Sequence, residues 1–150
     1  LVDLNTDEYV MRRTKKAFVL KEFEFPLTLK NSFLISVPVL KKHSITKVTL
    51  SLKNMLGATV GKDKGRFHRL GINECIVDIN LYKCPDLVII DGIKGCIGGE
   101  LGGRTKSFKL MIFSKDTLAA DCVGARILDY NPSEVRHLVL AEEKGIGKLE

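Results

Sequence analysis

The acidic residue best placed to take part in chemistry is Asp91, the first charge after the apolar run Leu87–Ile90. A continuous apolar run predicts a strand buried on both faces, so Asp91 is expected at the carboxyl end of that strand. Ligands of open α/β sheets bind beside that edge. A carboxylate there can bind a metal ion or a ribose hydroxyl, or it can cap the turn and do nothing else.

A glycine-rich stretch follows Asp91. Six of the 13 glycines in the chain fall within the next 12 residues, at Gly92, Gly95, Gly98, Gly99, Gly102 and Gly103. Glycine permits positive φ angles and a close approach between backbone and ligand, so this stretch can offer backbone N–H donors to an anion. It does not fit the GxGxxG dinucleotide pattern in register, and the sequence contains neither a P-loop nor a nucleophile elbow.

The excess positive charge is concentrated in residues 41–69. This segment has eight basic residues and one acidic residue, whereas the rest of the chain has 16 basic and 17 acidic residues. Such a distribution is expected of a surface that faces an anion, and the alternative is a solvated basic loop. Phe67 is the only aromatic residue in the segment. Nucleic-acid binding is therefore disfavoured, because single-strand binders use several aromatic side chains for stacking.

The four cysteines, Cys75, Cys84, Cys96 and Cys122, include no Cys-x-x-Cys pair. Their spacing predicts neither an iron–sulfur cluster nor a structural zinc site, and a disulfide is not expected in a reducing compartment. No apolar run approaches the roughly 20 residues of a membrane helix, and no signal peptide opens the chain, so a cytoplasmic setting is expected. The first residue is Leu1, which suggests a fragment or a processed chain.

These residues can act together only if the surrounding elements bring them to one edge. Periodicity predicts strands over residues 17–29, 33–37, 87–90 and 109–113, the first with one solvent-facing side and limited to an edge by Pro26. Residues 46–56 fit a helix or a strand, and Gly57 as a C-cap favours the helix. Residues 58–70 are expected to form an exposed loop.

Three helices are expected in the second half of the chain. The first starts at Ile72 and ends near Cys84, ahead of a proline. The second starts at residues 114–117, with Leu118, Cys122, Ala125, Ala119 and Val123 on its inner face. The third starts at Asn131 as N-cap, with Pro132 at the first helical position, and Val135, Leu138 and Val139 form its buried side.

Alternating strands and helices predict one α/β domain over residues 1–150, with a mostly parallel sheet, covering helices and an antiparallel edge strand near the N-terminus. If residues 33–37, 87–90 and 110–113 are parallel strands, His43, Asp91 and Ser114 should lie along one rim. His68 falls in the basic loop and His137 on a predicted helix surface. Neither is assigned a role.

Three ordered motifs carry a family resemblance. They are SVPVLKKHSITKVTLSLKNMLG, PDLVIIDGIKGCIGGELGG and FSKDTLAADCVGARIL. Over roughly residues 1–147 the chain resembles the later part of the uncharacterised family catalogued as domain of unknown function 362. Members commonly also carry a ferredoxin-like iron–sulfur module, which implies redox work without an established reaction. The chain departs from the family pattern at Glu100 and Leu101, where a Gly-Pro pair is common, and it has no cluster-binding cysteine motif.

The resemblance implies a site. Its candidate catalytic residues are His43 and Asp91, and its candidate ligand-binding residues are Lys41, Lys53, Asn54, Gly92, Gly98, Gly99, Ser114 and Asp116. Lys53 and Asn54 can offer an ammonium and an amide to a phosphate or carboxylate. His43 can serve as a general base, or it can cap a loop or pair with Asp91. For Asp116, an N-cap role is favoured over catalysis.

Two functions of different class follow from these residues. The first is an anion- or small-molecule-binding α/β domain of a redox or iron–sulfur-linked protein, whose partners are an anionic small molecule and a ferredoxin-like module. The alternative is a metal-assisted or acid–base enzyme that uses Asp91 and His43. The cofactor is unknown, and no iron–sulfur cluster, metal ligand set or membrane contact is expected within this chain.

Overall fold

The computed structural model describes residues 1–99 and 103–149. Three residues singled out in the sequence, Glu100, Leu101 and Gly102, lie outside the described part. Within it, no helix combines the length and the apolar character needed to cross a bilayer.

Five short strands come first in the described chain, three helices follow, and two long strands and two further helices complete it. The strands are β1 (Tyr9–Arg13), β2 (Glu22–Pro26), β3 (Ile35–Ser36), β4 (Val39–His43), β5 (Lys47–Thr49), β6 (Leu87–Cys96) and β7 (Thr105–Ser114). The helices are α1 (Ser51–Asn54), α2 (Arg66–Leu70), α3 (Ile72–Tyr82), α4 (Thr117–Ile127) and α5 (Arg136–Glu143), with 3₁₀ turns at Leu27–Leu29, Met55–Gly57 and Pro132–Glu134.

The central sheet is built around β6. Its first residues pair in parallel with β3 and its later residues pair in parallel with β4, while β7 occupies the other edge along most of its length. β3 and β4 are thus two parts of one interrupted strand, separated at Pro38, and β5 pairs antiparallel with β4. Three of the five strands, β3, β4 and β6, are mutually parallel, and the α/β class with a mostly parallel sheet and covering helices is confirmed.

The predicted parallel direction of residues 110–113 is wrong, because β7 runs antiparallel to β6 and Ser114 lies opposite Val88. A parallel pair needs a crossover of a dozen or more residues, whereas β6 ends at Cys96 and β7 begins at Thr105. This connection is long enough only for a hairpin. Ser114 therefore lies at the amino end of β6, and the expected common rim of His43, Asp91 and Ser114 does not form.

The N-terminal segment forms a separate two-stranded antiparallel sheet of β1 and β2. In β2, Phe23 and Phe25 are buried while Glu22 is exposed, which confirms a strand with one solvent-facing side. β2 ends at Pro26, which has no N–H group to donate to a neighbouring strand.

Two hydrophobic clusters hold the elements together, and α3 contributes to both. One side of α3, including Ile76 and Val77, joins the main core formed with β6, α4 and α5. The other side, including Cys75 and Ile79, joins a second cluster with the phenylalanines of β2. Phe67 of α2 is fully buried in that second cluster, so the prediction of an exposed loop over residues 58–70 is wrong for its last part.

Other boundaries differ from the sequence prediction in local ways. Residues 46–56 divide between β5, α1 and a 3₁₀ turn. The strand interpretation therefore holds for the first part of this stretch and the helix interpretation for the second. Asn131 caps the Pro132–Glu134 turn by accepting from the Ser133 N–H, and α5 begins only at Arg136. Val123 was predicted on the inner face of α4, and it is exposed.

Two fully buried aspartates fasten the backbone. Asp78 of α3 accepts N–H bonds from Phe18, Val19 and Leu20, each at 2.8 Å. Asp121 of α4 accepts from the N–H groups of Ser51 and Leu52 at 2.8 and 2.9 Å, which anchors the start of α1. Neither position was singled out from the sequence.

Candidate functional site

The carboxyl end of β4 brings several of the predicted site residues together. Lys41 lies opposite Cys96 of β6 on one side and opposite Thr49 of β5 on the other. Cys96 begins the turn that contains Gly98 and Gly99, and its thiol donates to the Gly99 carbonyl at 3.0 Å. The basic segment therefore lies directly beside the middle of the glycine-rich stretch.

Lys53 reaches the same end of the sheet from α1. Its Nζ donates to the Thr49 hydroxyl at 3.1 Å, and the residue is only 8% exposed. The position follows from the chain path, because α1 begins directly after β5 and places Lys53 one turn beyond Thr49. An ammonium held this far from water is costly, so it favours a negative group beside it.

His43 is the last residue of β4 and is buried. Its Nδ1 accepts from the N–H groups of Ile45 and Thr46 at 3.1 and 3.2 Å. These two donors fix the neutral tautomer with the proton on Nε2. The loop-capping alternative thus describes the contacts of Nδ1.

His137 of α5 completes this cluster, although the sequence placed it on a helix surface. It is fully buried, and neither ring nitrogen has a hydrogen-bond partner among the described residues. Burial lowers the pKa of His137 to about 3, and the nearby Lys53 and His43 add to that effect. His137 is therefore a neutral imidazole with an unpaired donor and an unpaired acceptor.

The signal for His137 was present in the sequence. His137 shares one helical stripe with Leu140 and Ala141, at spacings of three and four residues, and both of these are buried. Reading Val135, Leu138 and Val139 as the buried side placed the apolar face too narrowly, since α5 packs against both α3 and α4. A helix covered on two sides buries a wider stripe than one lying on a single surface.

Asn54 follows Lys53 in sequence but turns elsewhere. Its side chain is exposed, and its amide donates to the Ser36 hydroxyl at 3.1 Å, while Lys53 contacts Thr49. Successive helical residues point about 100° apart, so the two side chains do not share a contact. The structure places Lys53, and not Asn54, in the cluster with His43 and His137.

Asp91 lies within β6 and not at the end of it. It is opposite Val39, and its Oδ1 accepts from the Ile93 N–H at 2.9 Å. His43 is four residues further along β4, which corresponds to a separation of roughly 13 Å along the strand. The two candidate catalytic residues are therefore not brought together.

Gly92 and Gly95 also lie within β6, where they have a packing role. A Cβ on Gly92 would meet the Leu110 side chain at 2.7 Å, and one on Gly95 would meet the Leu40 carbonyl oxygen at 2.8 Å. Further along, Gly98 packs against the Gly103 backbone, and Gly99 has a φ of +104°. Only this later part of the stretch has the open or left-handed backbone expected of a ligand loop.

Gly95→Ala is expected to lower the free energy of unfolding by about 1–3 kcal/mol, because the added methyl group must displace backbone in a filled position. Gly57→Ala is a matched control, since no atom lies within 4 Å of a Cβ at that site. Urea unfolding of both variants measures the difference. Equal stability of the two variants would contradict the packing role.

Ser114 and Asp116 lie at the amino end of β6 and both act as caps. The Ser114 hydroxyl accepts from the Asp116 N–H at 2.9 Å, and the Asp116 carboxylate accepts from the Ala119 N–H at 2.9 Å at the start of α4. The capping role of Asp116 favoured from the sequence is confirmed. The structure does not bring these two residues to the cluster at the other end of the sheet.

The basic residues of segment 41–69 divide among three places. Lys42 and Lys47 lie over the Tyr130 ring, at 5.0 and 5.8 Å from its centre. Arg69 pairs with Asp63 at 2.6 Å beside α2. Only Lys41 and Lys53 lie at the cluster, so the segment does not form one continuous basic surface.

The cysteines are all free thiols. Burial, aided by the Asp78 and Glu74 carboxylates, raises the pKa of Cys75 to about 12, and burial raises that of Cys122 to about 11. Thiols held in the neutral form are poor metal ligands and poor nucleophiles. Among the described residues, no group of three or more His, Cys, Asp or Glu side chains is arranged to hold a metal ion.

Fold and site together define a mixed α/β domain with a buried lysine and two buried histidines at one end of its central sheet. The chain belongs to the family described as Domain of unknown function (DUF362), whose model matches residues 1–126.

A relative supports this assignment. The chain is 31% identical over 121 residues to the thylakoid-associated protein sll1697 of Synechocystis sp. (strain ATCC 27184 / PCC 6803 / Kazusa). The match covers 75% of this chain and 37% of the relative, so the chain spans about a third of the length of that relative. No solved structure matches the chain.

Proposed function

We propose that the domain binds a small anion, a phosphate or a carboxylate, at the carboxyl end of β4. Lys53 and Lys41 supply positive charge, and His43 and the backbone of Gly98 and Gly99 lie nearby. The observation that carries the proposal is His137, a fully buried imidazole with no partner for either nitrogen among the described residues. Buried polar atoms are rarely left unpaired unless a ligand or water completes them.

The electrostatics of the cluster agree with this proposal. Lys53 and His43 both disfavour protonation of His137, so the three side chains interact electrostatically. A bound anion would reverse this effect, because it would favour the charged form of each group. Binding is therefore expected to raise the pKa of His137 and to take up protons from solution.

A cleft elsewhere on the domain is less suited to an anion. It encloses about 220 Å³ between β2 and α2, and Glu22 and Glu24 are among the residues that line it. Two carboxylates repel a negative ligand; Arg66 is the one cation among the described residues that line the cleft, and the nearby Arg13 is already paired with Glu22 at 2.9 Å. The cluster around Lys53 carries positive charge and the unpaired nitrogens of His137, so it is the better anion site.

Lys53→Met tests the site, because methionine keeps the length of the buried side chain and removes its charge. A charge-assisted hydrogen bond contributes roughly 1.5–3 kcal/mol, so the variant should bind about tenfold to a hundredfold more weakly. Inorganic phosphate, pyrophosphate, citrate and succinate serve as probes. Isothermal titration calorimetry gives the affinity, and the same titration in two buffers of different ionisation enthalpy gives the proton uptake.

Lys16→Met is the matched control, since Lys16 is an exposed lysine outside the basic segment. It should bind the probes as the wild type does. The proposal fails if no probe binds the wild type, or if Lys53→Met and Lys16→Met bind equally well. Binding without proton uptake would exclude His137 from the site.

The wider setting of this domain rests on the family. We propose that it works in the cytoplasm beside a ferredoxin-like iron–sulfur module or partner, because the family resemblance implies such an association. The buried thiols of Cys75 and Cys122 are unsuited to hold a cluster, so the cluster would belong to that module. An acid–base reaction through Asp91 and His43 gains no support from the geometry.

A further inference from the structure

The central sheet has an inner face covered by helices and an outer face that is not covered. Val88 and Ile90 point inward, are fully buried and pack in the core with α4. The alternate residues of β6 point the other way, and Ile89 lies directly opposite Phe113 of β7. Phe113 is 63% exposed. Parallel strands are normally covered on both faces, so this sheet lacks half of its expected cover.

Apolar side chains from four strands, β3, β4, β6 and β7, make this outer face continuous. Strand register places Ile35 and Val39 along one edge of β6 and Met111 and Phe113 along the other, with exposed fractions of 48, 42, 43 and 63%. Large exposed apolar areas of this kind mark interaction surfaces. We call the face formed by Ile35, Val39, Ile89, Asp91, Met111 and Phe113 the outer sheet face.

Asp91 lies on the middle strand of the outer sheet face, opposite Val39 on one side and Met111 on the other. One carboxylate oxygen accepts from the Ile93 N–H. Among the residues that the structure describes, no lysine, arginine or histidine nitrogen lies within 4 Å of Asp91. A carboxylate surrounded by apolar side chains is costly to cover unless the covering surface brings a cation to it.

We propose that the outer sheet face binds an amphipathic α-helix whose apolar stripe carries one basic residue, which pairs with Asp91. A helix is the element that covers parallel strands, and its apolar stripe matches the aliphatic and aromatic side chains of the face. The basic residue gives the pairing its position and its specificity. About 15 residues of helix are needed to follow β6 from Leu87 to Ile93.

Two other occupants fit the face less well. A second copy of this chain docked face to face about a twofold axis would bring two Asp91 carboxylates together in apolar surroundings, where like charges repel strongly. A membrane surface would place the same carboxylate against lipid, and anionic headgroups would oppose it. Both occupants are outcomes that the experiment separates.

The experiment uses two synthetic helical peptides of about 18 residues with a leucine stripe and one variable position in that stripe, arginine or glutamate. The fluorescently labelled arginine peptide should bind the wild-type domain at least about tenfold more tightly than the glutamate peptide, measured by fluorescence anisotropy. Asp91→Lys should reverse this preference, because the peptide with the opposite charge then becomes the partner.

Controls separate the outer sheet face from a general apolar surface. Phe113→Lys should abolish peptide binding, whereas Val123→Lys, which changes an exposed valine on α4, should leave it unchanged. Equal affinity for both peptides, or an unchanged preference in Asp91→Lys, would overturn the proposal. So would dimerisation of the wild type in sedimentation that Phe113→Lys abolishes, or flotation with vesicles of phosphatidylglycerol that the same variant abolishes.

Discussion

His137→Leu is expected to make the domain markedly more resistant to acid. In the folded chain the pKa of His137 is lowered to about 3, whereas a histidine in the unfolded chain titrates near 6.5. Between pH 6.5 and about 3 the unfolded state binds a proton that the folded state does not bind, so the stability of the wild type falls as the pH falls. The full effect is about 5 kcal/mol, at roughly 1.4 kcal/mol for each pH unit.

Asp121 acts in the opposite direction over nearly the same range. Burial raises the pKa of its carboxyl to about 7, even though the Ser51 and Leu52 N–H groups favour the ionised form. Because the folded state holds this proton more tightly than the unfolded state, stability falls as the pH rises from about 4 to 7. The two effects largely cancel in the wild type, and His137→Leu should expose the Asp121 effect alone.

Urea unfolding at pH 4.5, 5.5, 6.5 and 7.5 measures this prediction. The leucine variant should be more stable at pH 4.5 than at pH 7.5, while the wild type should change much less. His68→Leu is the control, since His68 is exposed on α2 and should leave the wild-type profile intact. Parallel profiles for the wild type and His137→Leu would show that His137 is not held neutral in the folded state.

The same substitution connects stability to the proposed anion site. Leucine fills a similar volume and leaves no unpaired nitrogen, so His137→Leu should also unfold less readily at neutral pH. The domain keeps a group that destabilises it, which is common where a residue is retained for binding. His137→Leu should therefore bind anions more weakly than the wild type, although it is the more stable protein.

The sequence predicted the apolar stripe of α4 because its residues recur at helical spacing. Leu118, Cys122 and Ala125 are buried as predicted, and other residues of α4 are buried as well because this helix also packs against α1 and α5. The prediction failed at His137, whose helix is covered on two sides, and at β7, whose direction depends on pairing between distant parts of the chain. Propensity and periodicity describe one element at a time, so neither records what lies against its second side.

The site could be predicted only in part for the same reason. Lys41, His43 and Lys53 lie close in sequence and gather around one hairpin, so local motifs were enough to find them. His137 joins them from a helix more than 80 residues later. Ser114 was grouped with them through an assumed strand direction, which the antiparallel pairing of β7 overturns. Asp91 was grouped with them as the end of a strand, whereas β6 continues beyond it to Cys96.

Asp78→Ala is expected to destabilise the domain by roughly 3–6 kcal/mol. The carboxylate is fully buried and accepts three backbone N–H bonds, from Phe18, Val19 and Leu20. Alanine would leave these donors without an acceptor, and each donor that stays buried and unpaired costs about 1–3 kcal/mol. The stability of Asp78→Asn should lie between those of the wild type and Asp78→Ala. The asparagine amide keeps one acceptor oxygen, but its NH₂ group faces backbone N–H donors.

Asp63→Ala is the control for this prediction, because its ion pair with Arg69 is exposed and should contribute at most about 1 kcal/mol. Urea unfolding gives the stabilities, and amide hydrogen exchange shows where protection is lost. Faster exchange should appear at the Phe18, Val19 and Leu20 amides first. A loss no larger than that of Asp63→Ala would mean that water can replace the carboxylate.

The reason to expect a large and cooperative effect lies in what residues 17–20 connect. Ala17 and Leu20 are buried. The Tyr82 hydroxyl donates to the Leu20 carbonyl at 2.8 Å, so α3 holds this segment through Tyr82 as well as through Asp78. β2 follows directly, and Phe23 stacks on Tyr82 with ring centres 5.3 Å apart. Releasing the segment from Asp78 would loosen β2 as well, and the loss should therefore spread through the second hydrophobic cluster.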